Sequence, residues 1–227
     1  MTRGPVVTLD GPAGSGKSST SRAVARALGF RHLDSGALYR ALTYALIRSG
    51  TPESAWDGLT VDDLRALDVG TAPTSEGFEV LVDGRAVSAE LRTEEVTSRV
   101  PHVARLEASR QALIELQRGA GAHGRLVTDG RDMGTVVFPD ADVKVYLVAD
   151  LEERARRRLR ESGVPDPDAA TLRAQMDALA ARDRADSERD HAPLRMADGA
   201  HRIDTTGLDF DAQVRAIVDL VRRLTIP

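Results

Sequence analysis

The sequence predicts an α/β fold, a five-stranded parallel sheet with helices on both faces. Three observations predict it. Short apolar runs alternate with helix-period segments, a glycine-rich loop joins the first run to the first helical segment, and one stretch breaks the alternation with a hairpin signature. A chain of 227 residues, 41% hydrophobic and 29% charged, suits one globular domain with an elaboration.

The strand runs are residues 6–9, 31–33, 126–128, 143–148 and 202–204. Between the first two, residues 17–28 repeat small and apolar side chains and stop at Gly29. Residues 37–48 then place Leu38, Leu42, Ala45 and Leu46 on one helical face before Gly50. Alternation of this kind implies parallel strands joined by right-handed crossovers. Residues 51–92 depart from it: Phe78, Val80 and Val82 alternate, Asp83-Gly84 is a two-residue hairpin signal, and a second short strand follows. The expectation is a small β insert near 62–92. Pro101 suits the first turn of a helix running through Arg118. Asp150 with Glu153 resembles a capping box opening a helix at Leu151. Residues 162–170, SGVPDPDAA, read as a loop able to move between two charged helices. The last helix, 211–224, carries Val214, Ile217, Val218, Val221 and Leu224 at the spacing that covers a sheet face.

A net charge of −4 provides no global positive field, so nucleic acid is not an expected partner. The chain has no cysteine, which excludes disulfides and thiolate metal sites and fits a reducing compartment. No stretch approaches the ~20 apolar residues of a membrane span, and the N-terminus lacks the apolar run of a signal peptide. A soluble, cytoplasmic protein with no membrane partner is expected.

Chemistry enters with Gly11-Pro12-Ala13-Gly14-Ser15-Gly16-Lys17-Ser18, which fits G-x-x-x-x-G-K-[ST] and lies between a strand and a helix, as that motif requires. The glycines let successive N–H groups turn inward, and the helix N-terminus adds partial positive charge, so polyphosphate oxygens find donors there. A nucleotide polyphosphate is the expected ligand of this loop and of Ser19 beyond it. Lys17 would reach the β and γ phosphates, and the Ser18 hydroxyl would ligate Mg²⁺.

Asp34-Ser35-Gly36 follows the second strand, with Tyr39 and Arg40 on the next helix. Ligands of open α/β sheets sit at strand carboxyl ends, although Asp34 or Ser35 could equally cap the helix. Asp129-Gly130-Arg131-Asp132-Met133-Gly134 follows the third strand, either as a local ion pair or as part of the same crevice. Asp129 is placed to orient Mg²⁺ through water. In RDRADSERD, Arg182, Asp186 and Arg189 share a helical stripe, and Arg154, Arg157 and Arg158 form another. Taken alone, such stripes are solvent-facing ion pairs; above a phosphate loop they suit a closing clamp.

These stretches, with LRTEEV and IDTTGL, resemble bacterial cytidylate kinases, in order along nearly the whole chain. The resemblance implies a single P-loop kinase domain over 1–227, with an NMP-binding region at 34–110 and a lid at 151–190. It implies γ-phosphoryl transfer from ATP to CMP or dCMP, Mg²⁺ as cofactor, and a monomer. Catalytic roles fall on Lys17, Arg131, Arg182 and Arg189. Asp34, Ser35, Gly36, Arg40, Arg92, Arg110, Arg131, Asp132, Asp186 and Arg189 are expected at CMP, and Arg154 and Arg158 at ATP. Asp183 and Asp190 are expected to be solvated. Cytosine needs a carboxylate and a cationic donor side by side, which Asp132 and Arg110 supply. Pro101 departs from the family, which has a small hydroxyl residue there; Ser98 is close enough in sequence to compensate. The alternatives are a kinase for another acceptor such as UMP, or a nucleotide-dependent switch, for which the N-K-x-D signature is missing.

Overall fold

The computed structural model describes residues 3–225. The chain opens with β1 (Val6–Asp10), α1 (Lys17–Leu28), β2 (Arg31–Asp34) and α2 (Ser35–Arg48). An insert follows, made of α3 (Val61–Arg65), β3 (Val69–Pro73), β4 (Phe78–Val82) and β5 (Arg85–Ala86). Then come α4 (Glu94–Arg105), α5 (Glu107–Ala120), β6 (Leu126–Gly130) and β7 (Val143–Val148). The chain continues through α6 (Leu151–Glu161), α7 (Ala169–Glu188), β8 (His201–Asp204) and α8 (Phe210–Thr225).

The expected parallel sheet has the order β2-β6-β1-β7-β8. Every residue of β1 is buried, as both faces of a parallel sheet require. On one face Val24, Ala25, Ile217, Val218 and Val221 of α1 and α8 pack on Val7, Leu9, Val127 and Val145. Each such side chain contributes roughly 1.5–3 kcal/mol when fully buried. The opposite face is covered by α2, α4 and α5, and the insert joins the same core through Trp56, Val80 and Val82. Ala13, Ala155 and Leu179 form a third, small cluster with Leu151, Leu172 and Met176, joining α6 and α7 to the glycine-rich loop.

Several local expectations are corrected. The insert sheet has three strands, because β3 pairs antiparallel with β4 from Val69↔Val82 to Pro73↔Phe78. VGTAP lacks large alternating apolar side chains, and as an edge strand it tolerates its terminal proline. The Asp83-Gly84 turn forms as expected, with both residues at positive φ (50° and 68°), the backbone of a tight hairpin. Pro101 lies well inside α4 rather than in a first turn, and α5 starts afresh at Glu107 after the extended Leu106. Asp150 makes no side-chain cap on α6, because Glu153 pairs instead with Arg157 at 2.8 Å. Among the described residues, no helix is long and apolar enough to cross a membrane.

Register brings the chemistry to one edge. Asp10 is paired with Gly130 and Asp34 with Asp129, so the carboxyl ends of β1, β2 and β6 open onto a common crevice.

Candidate active site

The phosphate loop leaves β1 through Gly11, at φ 150°, where a Cβ would lie 2.1 Å from the Leu147 carbonyl oxygen; only glycine fits. Gly16, at φ 83°, is the N-cap of α1 and brings no capping side chain, so the first-turn amides have no partner within the helix. They are the donors expected for phosphate. Lys17 is buried, its ammonium folded onto the Pro12 carbonyl (2.6 Å) and Ser15 Oγ (3.2 Å). Burial and the nearby cations Arg131 and Arg182 hold its pKa well below the ordinary lysine value, against the pull of Asp129 and Asp10. A polyanion above it would relieve that repulsion.

Ser18 donates to Asp129 Oδ2 at 2.5 Å, while Ser21 donates to Asp129 Oδ1 at 2.6 Å and His32 Nε2 lies 2.8 Å from the same oxygen. Burial alone would raise the Asp129 carboxyl, but these partners bring it below the usual carboxylate range. Asp129 thus fixes the Ser18 hydroxyl hydrogen and leaves the oxygen lone pairs for a cation. No group of three or more metal-ligating side chains occurs among the described residues. A serine hydroxyl held by a carboxylate suits Mg²⁺, which keeps waters and shares phosphate oxygens rather than needing a protein cage.

At the far end of the crevice Arg110 donates to Asp132 Oδ2 at 2.5 Å and to the Ala104 carbonyl at 2.8 Å. Its guanidinium also lies over the Tyr39 ring, 5.4 Å from the centroid. Burial, opposed by Arg110, raises the Tyr39 phenol, which therefore stays a neutral donor. Arg189 is 6% exposed; it donates to the Ala192 carbonyl at 2.6 Å, and its Nη2 is buried without a partner among the described residues. Arg131 donates to Asp186 Oδ2 at 2.7 Å. Burial would raise the Asp186 carboxyl, but Arg131, Arg182 and Arg189 hold it below the usual range.

Arg182 is open to solvent on one side, yet the crevice walls displace its hydration and, with the like charge of Arg131, push its pKa down to about 10. Arg40 and Arg158 add smaller repulsions there. Arg40 donates to Thr97 Oγ1 at 2.9 Å and to the Leu91 carbonyl, and its own pKa is lowered by burial and by Arg92 and Arg158. Arg131 and Arg182 thus repel Lys17, Arg131 and Arg189 both approach Asp186, at 2.7 and 3.7 Å, and Arg158 pairs with Glu161 at 3.3 Å.

Other expected residues are engaged by the protein itself. Asp34 caps α2 by accepting from the Ala37 amide at 3.1 Å, and Ser35 donates to the Asp129 carbonyl at 2.6 Å; both residues support the site's frame. Ser98 donates to the Glu95 carbonyl at 3.1 Å on the exposed surface, so it does not replace a hydroxyl at position 101. Asp190 is exposed as expected, but Asp183 is not solvated: it accepts from the Ala13 amide at 2.8 Å and from Arg154 Nη1 at 2.5 Å. Arg154 is correspondingly buried and also donates through Nη1 to the Ala13 carbonyl and through Nε to the Ala149 carbonyl. Arg157 donates to the Thr205 carbonyl at 2.6 Å, which breaks the expected basic stripe into three separate tasks.

Three residues escaped the sequence reading. Asp10 accepts from the Met133 and Gly134 amides at 2.9 and 2.7 Å, tying β1 to the loop that carries Asp132. Burial raises its pKa to about 6. Its position at the carboxyl end of a strand was the available signal. His32 and Ser21 offered none, since each stands singly in a different element.

A model of the cytidylate kinase family matches residues 7–223. A cytidylate kinase of Exiguobacterium sp. (strain ATCC BAA-1283 / AT1b) is 40% identical, over 99% of either chain. A bifunctional pantoate ligase/cytidylate kinase of Synechococcus sp. (strain CC9902) is 46% identical over 98% of this chain. The chain spans only 46% of that relative, about half its length. Among solved structures, an uncharacterized protein from Eubacterium ventriosum ATCC 27560 aligns with a TM-score of 0.51 at 10% identity, over 96% of this chain and 98% of its own; this likeness concerns the fold alone.

Proposed function

The chain belongs to the cytidylate kinase family, and on that premise we propose that it transfers the γ-phosphoryl group of ATP to CMP or dCMP, giving ADP and CDP or dCDP. The observation that carries this reading is the buried Arg110–Asp132 couple, beside Arg189 and at the end of an arginine-lined crevice that begins at Lys17. Cytosine presents an N4 amino donor next to N3 and O2 acceptors, so the carboxylate and guanidinium meet it with complementary groups. Uracil would set a carbonyl against Asp132, at roughly 1–3 kcal/mol per buried group left unpaired.

The remaining residues divide the phosphates between them. Loop amides and Lys17 take the donor, while Arg40, Arg131 and Arg189 take the acceptor phosphate. Arg182 bridges the two. Guanidinium groups suit this work because they match phosphate oxygens in pairs and keep their charge. Ser18, oriented by Asp129, would hold Mg²⁺, which when bound neutralises charge on the phosphate oxygens. Transfer of a metaphosphate-like group demands alignment and charge neutralisation, so no protein base is required.

A coupled assay of ADP formation with CMP, dCMP, UMP, AMP and shikimate as acceptors tests this. The expected result is turnover with CMP and dCMP, slower with UMP, and near-background ADP formation without an acceptor. UMP belongs in the panel because Pro101 supplies neither a hydroxyl nor an N–H near the base. Acceptor-independent hydrolysis alone would point to a switch, and turnover with AMP or shikimate only would move the acceptor pocket.

A further inference from the structure

Residue Ala13 of the phosphate loop is held at both ends of its peptide. Asp183 of α7 accepts from its amide, and Arg154 of α6 donates to its carbonyl at 2.8 Å. Arg154 and Asp183 in turn pair with each other at 2.5 Å. The Ala13 methyl enters the apolar cluster of Ala155 and Leu179. Next to it, a Cβ on Gly14 would lie 3.2 Å from the Arg154 carbonyl oxygen and 3.5 Å from a Leu179 methyl, so α6 and α7 lie directly against the loop. Arg182, the residue immediately before Asp183 on α7, lies near enough to Arg131 and Lys17 for their like charges to oppose one another.

We propose that Arg154 and Asp183 form a latch that docks the α6–α7 pair onto the phosphate loop and so sets the position of Arg182 above the transferring phosphate. The argument is geometric. Two charge-assisted hydrogen bonds and their mutual ion pair hold the two peptide groups that flank Ala13, and such bonds are the stronger kind inside a protein. A buried ion pair is costly to desolvate, so its stabilising value is small; its use lies in fixing one arrangement of the two helices and the loop. Neither residue touches the reacting atoms. Both are positioning residues, acting through Arg182.

This inference rests on the kinase reading given above, and wild-type turnover with CMP checks that reading separately. The test uses the full chain with Asp183→Ala, Arg154→Ala and the double variant, measuring kcat, both KM values, ATP binding by calorimetry, and ADP formed without acceptor. A misplacement of about 1 Å in a positioned catalytic group costs on the order of 100-fold. Each single variant is therefore expected to lose kcat by that order, with ATP affinity changed less than about threefold, since the lost interaction acts in the transition state. The double variant should lose no more than either single one, because the pair works as a unit. The fraction of ADP formed without acceptor should rise in all three. Loss of ATP affinity in Arg154→Ala alone would make Arg154 a phosphate ligand and overturn the latch, as would multiplicative losses in the double variant. Asp183→Asn, which keeps an acceptor for the Ala13 amide but not the charge, covers the case of an alanine variant that melts below assay temperature. It should fall between wild type and the expected alanine loss, and wild-type kcat in it would refute the proposal.

Discussion

Replacing Asp132 by Asn should turn the base pocket from a reader of the cytosine amino group into one that accepts uracil. Asp132 is buried and lies 2.5 Å from Arg110 Nη1. In the variant the amide oxygen keeps facing Arg110, so the NH₂ group faces the base. Cytosine then meets a donor with its own donor, losing about 1–3 kcal/mol, while the uracil carbonyl gains about 0.5–1.5 kcal/mol. The swing is roughly 1.5–4.5 kcal/mol, or roughly ten- to thousandfold in the ratio of kcat/KM for CMP to that for UMP, at 1.36 kcal/mol per tenfold. ATP affinity should move little. The same substitution removes the charge opposite a buried guanidinium, so the melting temperature should fall, and the assay is run well below the variant's melting point. CMP and UMP falling by one common factor would refute the reasoning, because it would make Asp132 a support for the pocket rather than its reader.

Other expectations concern the donor side and the frame. Lys17→Ala should abolish transfer to background in the same coupled assay while leaving the thermal melt near wild type or above it, since a buried, repelled ammonium is removed. Ser18→Ala should raise the Mg²⁺ concentration needed for half-maximal activity, and calorimetry should find weaker MgATP binding with metal-free ATP binding little changed. Asp10→Asn tests the buried carboxyl whose pKa is raised from 3.8 to about 6. The folded state keeps a proton that the unfolded state sheds first. The stability of wild type relative to Asp10→Asn should therefore be greatest below about pH 4 and fall by roughly 3 kcal/mol as the pH rises through about 6, measured by denaturant titration. A flat difference would mean that Asp10 is already ionised in the folded state across this range.

The sheet was legible because its central strands β1, β6 and β7 carry apolar runs set by burial, while the exposed edge strand β8 was placed by its position after α7; all five fall within two residues of the observed ends. The start of α2 was placed two residues late, since the Asp34 cap lets Ser35 and Gly36 enter the helix. β3 was missed because an edge strand of a small sheet buries little and has little pattern to show. Within the site, the phosphate loop is a local motif and needed only its own residues. The grouping of Arg40, Arg131 and Arg189 on one acceptor phosphate spans the chain and is expected from resemblance, not from spacing. Asp183 was misread for a physical reason: its neighbours in RDRADSERD are charged, and a polar helix looks solvated unless another element is known to lie against it. Nothing local announces that Ala13, 170 residues earlier, offers its peptide to that helix.

The hairpin insert shares one interior with α2, α4 and α5, through Trp56, Val80, Val82 and Leu91, and an isolated bridge joins His32 of the main sheet to Gly77. It is consequently a wall of the proposed acceptor chamber and not a flap hung on its rim. Trimming it away would expose aromatic and aliphatic surface now facing Leu38 and Leu42, and the helix bearing Arg40 would lose its backing. On the proposed function, retuning the protein toward other bases is thus a matter of exchanging a few side chains at the floor of the chamber, while wholesale transplant of the hairpin would carry away the masonry that keeps those side chains aimed.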